Sequence, residues 1–217
     1  MSEFATRRVM MVDTQVRPSD VTKFPIIDAM LTVPRETFVP EDKREAAYMG
    51  ENLPLAPGRV VLEARTLAKL LDALDIQPGE LVLDVGCGLG YSAAVIARLG
   101  ETVVAVEEDE ALAAEAQRLL SEEGVDNAVV IAGKLTEGSA KCAPYDVITV
   151  EGGVETMPET ILSQLKDGGR IGAVFMEGAV GTARIGYKTE GRVSWRPVFN
   201  ASAPVLPGFQ AKRSFVL

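Results

Sequence analysis

Between residues 81 and 176, short apolar runs alternate with amphipathic stretches and glycine-containing turns. The apolar runs, rich in β-branched residues, predict buried strands at 81–85, 102–107, 128–133, 145–153 and 170–176. The stretches between them predict helices at 91–100, 111–124 and 157–165. Strands that alternate with helices are typical of a parallel sheet with helices on both faces. The sequence therefore predicts an α/β fold.

The flanking segments extend this predicted core. Residues 1–62 predict an N-terminal extension of short helices, interrupted by several prolines and followed by a loop and short strand at 53–62. A helix is expected at about 63–75, so the nucleotide-binding core is predicted to span 63–176. The tail, 177–217, predicts antiparallel strands that complete the sheet. A chain of 217 residues suits one domain.

The composition excludes several kinds of chemistry. The chain contains no histidine, which removes Ser-His-Asp and Cys-His nucleophiles and histidine-bound zinc. Its two cysteines cannot form a disulfide framework. Catalysis must therefore depend on carboxylates, hydroxyls, backbone dipoles or a cofactor.

The charge and the hydrophobic pattern restrict the partners. A net charge of −9 argues against nucleic acid as a partner, because binding to phosphates requires a basic excess. No apolar run reaches the ~20 residues that cross a bilayer, so we expect no membrane partner. The N-terminus lacks the apolar region of a signal peptide, and the cytoplasm is the expected compartment.

A glycine-rich turn, Asp84-Val-Gly86-Cys-Gly88-Leu-Gly90, lies between a predicted strand and a predicted helix. Glycines let the backbone approach a ligand closely, and the helix N-terminus offers free N–H groups. Glu107 ends the next predicted strand, where a carboxylate can accept hydrogen bonds from both hydroxyls of a ribose. This order of elements predicts a nucleotide-type cofactor site.

The identity of the cofactor depends on the spacing of the glycines. The dinucleotide fingerprint G-x-G-x-x-G would place its third glycine at position 91, where this chain has Tyr91. The pattern D-x-G-x-G-x-G instead resembles motif I of methyltransferases, which implies S-adenosylmethionine; NAD is the alternative. Cys87 is either a small residue that fills the turn or a reactive thiol, although no basic partner for a thiolate is identifiable. The candidate cofactor-binding residues are Asp84, Gly86, Cys87, Gly88, Gly90, Tyr91, Glu107, Glu108, Lys134 and Leu135.

Several segments resemble protein-L-isoaspartate O-methyltransferases. The most specific is residues 33–41 (VPRETFVPE), and others are Ala47-Tyr48, Leu53-Pro54-Leu55, 82–95, 143–146 and 158–170. The resemblance covers roughly residues 10–175. It implies a Rossmann-like methyltransferase fold with a seven-stranded sheet, S-adenosylmethionine as the methyl donor, and a protein or peptide substrate whose damaged aspartyl residue offers a carboxylate.

The chain departs from the family pattern on the acceptor side. Where the family has Gly-x-Thr-Ile-Ser, this chain has residues 58–62 (GRVVL). Arg59 therefore stands at the variable position, Val60 replaces the threonine and Leu62 replaces the serine. Lys134 replaces the aspartate that contacts the adenine amine in the family. Glu151-Gly152-Gly153 stands where the family has small residues that line the acceptor pocket, so Glu151 replaces one of these small residues. We predict that these changes weaken isoaspartyl methylation, or alter the acceptor, more than they weaken donor binding.

The three substituted side chains differ in what they can offer a ligand. Leu62 offers no hydrogen bond to a carboxylate, and Lys134 can only donate hydrogen bonds. A charged Glu151 would repel an isoaspartyl carboxylate. Alternatively, Lys134 and Glu151 are solvated residues at the rim of the site, or pair with each other.

Three hypotheses about function follow. The first is an S-adenosylmethionine-dependent carboxyl O-methyltransferase with an unaltered or altered acceptor. The second is a regulatory module that binds S-adenosylmethionine or S-adenosylhomocysteine without catalysis. The third, an NAD-linked oxidoreductase, is disfavoured by Tyr91 and by the absence of histidine. The oligomeric state is left open.

Overall fold

The computed structural model describes residues 3–211 and contains a seven-stranded sheet. Its strands are β3 (Leu81–Val85), β4 (Thr102–Glu107), β5 (Ala128–Ala132), β6 (Tyr145–Val154), β7 (Leu165–Glu177), β8 (Val180–Thr189) and β9 (Arg192–Asn200). The spatial order is β5-β4-β3-β6-β7-β8-β9. Strands β3 to β7 pair in parallel, and β8 and β9 are added antiparallel. The predicted α/β fold with a mostly parallel seven-stranded sheet is confirmed.

Within the described residues, six α-helices lie around this sheet. They are α1 (Glu3–Met11), α2 (Phe24–Thr32), α3 (Ala64–Leu74), α4 (Tyr91–Ile96), α5 (Glu110–Glu122) and α6 (Glu159–Ser163). Short helical turns at Val12–Val16, Arg17–Ser19, Arg35–Phe38 and Glu41–Ala46 complete the N-terminal extension, and another lies at Leu135–Glu137. The extension is thus made of short helices, as the prolines predict.

Several boundaries differ from the predicted ones, and helix α6, for example, spans Glu159–Ser163 rather than 157–165. Helix α4 ends at Ile96 rather than at residue 100, and residues 97–100 form turns that lead into β4. The last parallel strand begins at Leu165, because the Asp167-Gly168-Gly169 segment remains part of β7. Residues 53–62 form two strands instead of one: β1 (Leu53–Ala56) and β2 (Arg59–Val61) pair only with each other.

The sheet separates two hydrophobic clusters. Alternate residues of a strand face opposite sides, so Val82 of β3 belongs to one cluster and Leu83 to the other. The first cluster includes buried residues of α2, α3, α4 and α5, and the second includes residues of α6 and of the segment after β9. Helix α3 approaches β7 closely, since a Cβ added at Gly172 would lie 2.9 Å from Leu70 Cδ1.

The segment after β9 turns back over the end of β6. Gly153 donates its N–H to Pro204 O at 2.8 Å, and Leu206 donates to Gly153 O at 2.9 Å. Two tail segments predicted as strands lie in β8 and β9, whereas the third, at 213–217, lies outside the described residues. Within residues 3–211, none of the helices has the length and apolar character needed to cross a bilayer. The same residues include no group of acidic, histidine and cysteine side chains that could hold a metal ion.

Candidate active site

The order of the strands places the candidate site. The chain passes from β3 outward to β4 and β5, then returns to the other side of β3 with β6. At such a switch point the connections leave β3 and β6 in opposite directions, so a crevice forms beyond the carboxyl ends of these strands. The predicted turn follows β3 at this edge, Glu107 ends β4, and Glu151 lies on β6.

The turn after β3 has the backbone conformation that its glycines permit. Gly86, Gly88 and Gly90 all have positive φ angles, of 85°, 58° and 96°. Gly86 donates its N–H to Val106 O at 2.8 Å, which ties the turn to β4. A Cβ at Gly90 would lie 3.4 Å from Leu120 Cγ, so this glycine also lets α5 pack closely.

Glu107 is fully buried, and backbone groups surround its carboxylate. Its Oε2 accepts a hydrogen bond from the N–H of Gly88 at 2.8 Å. Its Oε1 accepts from the N–H groups of Glu108 and Asp109 at 2.9 and 3.2 Å. The turn and Glu107 are therefore brought together as the sequence predicts, with the carboxylate held in a fixed orientation.

The same carboxylate carries a partner that sequence reasoning missed. Arg59 of β2 binds it with both terminal nitrogens, Nη1 to Oε1 at 2.7 Å and Nη2 to Oε2 at 2.6 Å. Nη2 also donates to Gly86 O at 3.1 Å. Burial opposes the charge of Arg59, but the hydrogen bonds and attraction of Glu107 raise the pKa of the guanidinium above its usual range. The buried guanidinium is thus a cation seated against the predicted ribose-binding carboxylate.

Other side chains take the remaining space beside the turn. A Cβ added at Gly88 would lie 2.6 Å from Leu55 Cδ2, and one added at Gly86 would lie 3.4 Å from Leu206 Cδ1. The cavity bordered by Gly86, Gly88 and Glu151 measures about 10 Å³. A small-molecule site usually offers ~300–1,000 Å³, whereas 10 Å³ suits a single water. The residues at the turn are of the right kinds for a nucleoside, but the side chains of Leu55, Arg59 and Leu206 lie directly against its glycines.

Two further carboxyl groups are buried at this edge. Burial raises the pKa of Asp84 to about 7, against the opposing effect of a hydrogen bond that Ser92 Oγ donates to its Oδ2 at 2.7 Å. Asp84 Oδ1 has no hydrogen-bond partner among residues 3–211. Burial, reinforced by Asp84, raises the pKa of Glu151 well above its usual range, and Thr149 Oγ1 donates to its Oε1 at 2.9 Å. An irregularity in the pairing of β6 with β7 between Thr149 and Gly153 accompanies this inward position.

Comparison with known proteins assigns the family. Residues 8–181 match the family described as Protein-L-isoaspartate(D-aspartate) O-methyltransferase (PCMT). A protein-L-isoaspartate O-methyltransferase of Koribacter versatilis (strain Ellin345) is 37% identical over 171 residues, which are 79% of this chain and 77% of that protein. The chain belongs to the protein-L-isoaspartate O-methyltransferase family. The resemblance predicted from residues 33–41 and from the glycine turn is thereby confirmed.

One solved structure agrees with this assignment, and a second shares the fold. A protein-L-isoaspartate O-methyltransferase superposes with a TM-score of 0.80 at 26% identity, over 93% of this chain and 66% of that one. A Plasmodium falciparum protein described by the same activity, and crystallised with S-adenosyl-L-homocysteine, gives a TM-score of 0.79 at 17% identity, over 95% of this chain and 99% of that one. The second likeness concerns the fold alone.

The structure corrects the two alternatives predicted for the placement of Glu151. The side chain is neither at a solvated rim nor paired with Lys134, because the residue is only 5% exposed and bonds with Thr149. Burial raises the pKa of its carboxyl group well above the usual range, which disfavours the charged form on which the predicted repulsion of an acceptor carboxylate depends. Lys134 is solvated, as one alternative held, and pairs with Glu137 at 3.3 Å.

The remaining predicted residues lie at or beside the turn. Leu135 is buried, with Cδ1 3.8 Å from where a Cβ of Gly86 would stand. Val60 and Leu62 border the small cavity, as expected for the acceptor loop. Burial raises the pKa of the Cys87 thiol well above its usual value, which agrees with a residue that fills space and not with a reactive thiolate.

Tyr91 leads to a second residue that sequence reasoning missed. Its ring lies 4.7 Å below the guanidinium carbon of Arg35, which is fully buried. Arg35 Nε donates to Ala47 O at 2.7 Å, and Nη2 donates to Leu62 O at 2.8 Å. Arg35 therefore ties the N-terminal extension to the acceptor loop. Arg35 lies in the family-specific segment 33–41, which could have singled it out. Its burial could not be predicted, because arginines are mostly exposed.

The protonation of Glu151 makes a testable difference to stability. An unfolded glutamate loses its proton near pH ~4.3. The folded protein holds this proton to a higher pH, so the native state binds more protons and wild-type stability falls as pH rises above that value. Glu151→Gln cannot titrate. Relative to wild type, its free energy of unfolding is expected to rise between pH 5 and 8, by at most ~1.4 kcal/mol per pH unit.

Urea unfolding of both proteins across this pH range measures the difference. Glu101→Gln serves as the control, because Glu101 is exposed in the folded protein and its substitution should leave the difference constant with pH. A pH-independent difference for Glu151→Gln would show that Glu151 is ionised in the folded state.

Proposed function

We propose that this protein is an S-adenosylmethionine-dependent O-methyltransferase that methylates the carboxylate of isoaspartyl residues in damaged proteins or peptides. The observation that carries the proposal is the glycine turn closed against Glu107 in a chain of the isoaspartyl methyltransferase family. Family membership favours this enzyme over an NAD-linked oxidoreductase. The relatives are named as methyltransferases, and none of the comparisons favours a regulatory module without catalysis. We further propose the cytoplasm as its compartment.

The donor would be held at the carboxyl ends of β3 and β4. Glu107 is the acceptor for the two ribose hydroxyls, and the glycines at 86 and 88 leave room for the backbone to approach the ligand. Bound S-adenosylmethionine supplies an activated methyl group on its sulfonium sulfur. The proposed donor-side residues are Asp84, Gly86, Cys87, Gly88, Gly90, Tyr91, Glu107, Glu108, Lys134 and Leu135.

The acceptor side is proposed at β2 and at the residue that follows it. Val60 and Leu62 border the cavity beside Gly86, next to the donor-side turn. Methyl transfer requires in-line positioning of donor and nucleophile and little covalent help from the protein. A carboxylate acceptor is already ionised at neutral pH, so the absence of histidine as a general base does not oppose this chemistry.

A methyl-transfer assay with matched peptides tests the activity. The protein is incubated with methyl-labelled S-adenosylmethionine and a peptide that contains one isoaspartyl residue, or the same peptide with normal aspartate. We expect a base-labile methyl ester on the isoaspartyl peptide alone. Equal labelling of both peptides would contradict the proposed acceptor, and labelling of neither after long incubation would contradict the activity.

A further inference from the structure

The β1–β2 hairpin, residues 53–61, covers the proposed donor site from outside the main sheet. Its two strands pair only with each other, so the hairpin can move without breaking a hydrogen bond of the seven-stranded sheet. Its tip is the exposed pair Pro57-Gly58, where Gly58 has a φ of 70°. The hairpin therefore has the connectivity of a lid.

Hydrogen bonds fasten both ends of the hairpin. Asn52 Nδ2 donates to Ser202 O at 2.8 Å, and Asn52 Oδ1 accepts from the N–H of Glu63 at 2.9 Å. Leu62 O accepts from Arg35 at 2.8 Å. These fixed ends bracket a segment whose middle meets the donor site through two side chains, Leu55 and Arg59.

Arg59 is the polar contact in this middle segment. Its bidentate ion pair uses both oxygens of Glu107, the group that would accept the ribose hydroxyls. Leu55 Cδ2 lies where only a glycine at position 88 leaves room. A nucleoside bound to Glu107 and to the turn would need the space that these two side chains take, because Arg59 uses both carboxylate oxygens and Leu55 lies against Gly88.

Two buried polar atoms near the closed hairpin lack hydrogen bonds within the part of the chain that the structure describes. Arg59 Nε and Asp84 Oδ1 are buried and have no hydrogen-bond partner among the described residues. Burying such groups unpaired costs free energy, and a buried ion pair returns little net stability over its desolvation. Opening of the hairpin exposes Arg59 to water, which offsets part of the lost ion pair. A ligand that binds only the open state can therefore shift the equilibrium between the closed and open hairpin.

We propose that Arg59 is a gate on the donor site: it occupies Glu107 in the closed protein, and donor binding requires the 53–61 hairpin to swing outward. This inference rests on the proposed function, because it assumes that Glu107 receives the donor. Since the hairpin also carries Val60 of the acceptor loop, the donor and acceptor sites open together. Only the fraction of molecules with an open hairpin can bind the donor, which lowers its apparent affinity.

Arg59→Gln tests the gate by calorimetric titration with S-adenosylhomocysteine. Glutamine removes the charge that competes for Glu107, so we expect the dissociation constant to fall about tenfold or more relative to wild type. Arg65→Gln is the matched control, because Arg65 is a partly exposed arginine of α3 that pairs with Glu63 and should leave affinity unchanged. Binding by wild type that is not tightened in Arg59→Gln overturns the gate and leaves the proposed function standing. No binding by either protein overturns the proposed donor site itself.

Hydrogen–deuterium exchange of the wild type provides a second readout that needs no variant. Saturation with S-adenosylhomocysteine should speed amide exchange within residues 53–61, because the ligand displaces the ion pair that holds the hairpin down. Thermal unfolding of Arg59→Gln verifies that it is folded; if it is not, the exchange experiment decides. Unchanged or slower exchange in this segment would overturn the gate.

Discussion

Replacing Glu107 with alanine is expected to weaken S-adenosylhomocysteine binding by tenfold or more. Hydrogen bonds to a charged group are worth ~1.5–3 kcal/mol each, and ~1.4 kcal/mol corresponds to a tenfold change in affinity. The carboxylate also orients the turn by accepting the N–H of Gly88, so its loss removes a contact to the ligand and a support of the site. Calorimetric titration measures the change.

The substitution has a second expected consequence. Removing one partner of a buried ion pair typically costs ~3–5 kcal/mol, and Arg59 would lose both of its carboxylate contacts. The lost stability is smaller if the hairpin opens and exposes Arg59 to water. Thermal unfolding must therefore show that the variant is folded at the titration temperature.

Glu101→Ala is the matched control for this prediction, because Glu101 is an exposed glutamate just before β4, at the end opposite Glu107. It should bind the ligand as wild type does. A folded Glu107→Ala protein with wild-type affinity would rule out this carboxylate as the ribose acceptor.

Restoring hydroxyl groups in the acceptor loop is expected to raise methyl transfer to an isoaspartyl peptide by ten- to a hundredfold. Val60→Thr and Leu62→Ser together return the two hydroxyls of the family pattern to positions that border the cavity. One hydrogen bond to a carboxylate in the transition state is worth ~1.5–3 kcal/mol, or one to two decades of rate. Wild type is correspondingly expected to be slow, below the ~1–10 per second common among enzymes.

The affinity for S-adenosylhomocysteine separates an acceptor effect from a donor effect, and it should stay unchanged in the double variant. Leu62 is 3% exposed, so the serine also removes buried apolar contacts and is expected to lower stability by ~2–5 kcal/mol. Adding Glu151→Thr should contribute little, because burial raises the pKa of Glu151 well above its usual range and disfavours its charged form. A wild-type turnover at the usual rate, or a folded double variant no faster than wild type, would contradict this account of the acceptor loop.

The features that the sequence predicts are those encoded by local pattern. Alternating strands and helices predict the sheet, and the glycines at 86, 88 and 90 occupy the positive-φ positions that their spacing requires. Glu107 follows from its place at the end of β4. Each of these depends on neighbours in the chain or on a rule about where parallel strands end.

The features that the sequence does not predict depend on contacts between distant segments. Arg59 and Glu107 are 48 residues apart, and nothing in either segment indicates that the β1–β2 hairpin folds back over β4. The raised pKa of Glu151 escapes prediction for a related reason, because it depends on burial and on Asp84, which lies on another strand. From the sequence alone, a side chain can be given only the ordinary pKa of its residue type. The burial that shifts this pKa depends on the tertiary structure.

Calorimetric titration of the wild-type protein with S-adenosylhomocysteine tests the central claim, that the crevice beyond β3 and β4 is a methyl-donor site. We expect saturable binding of one ligand per chain, with an affinity that Arg59→Gln increases and Glu107→Ala decreases. Absence of heat at millimolar ligand from both the wild type and folded Arg59→Gln would contradict it.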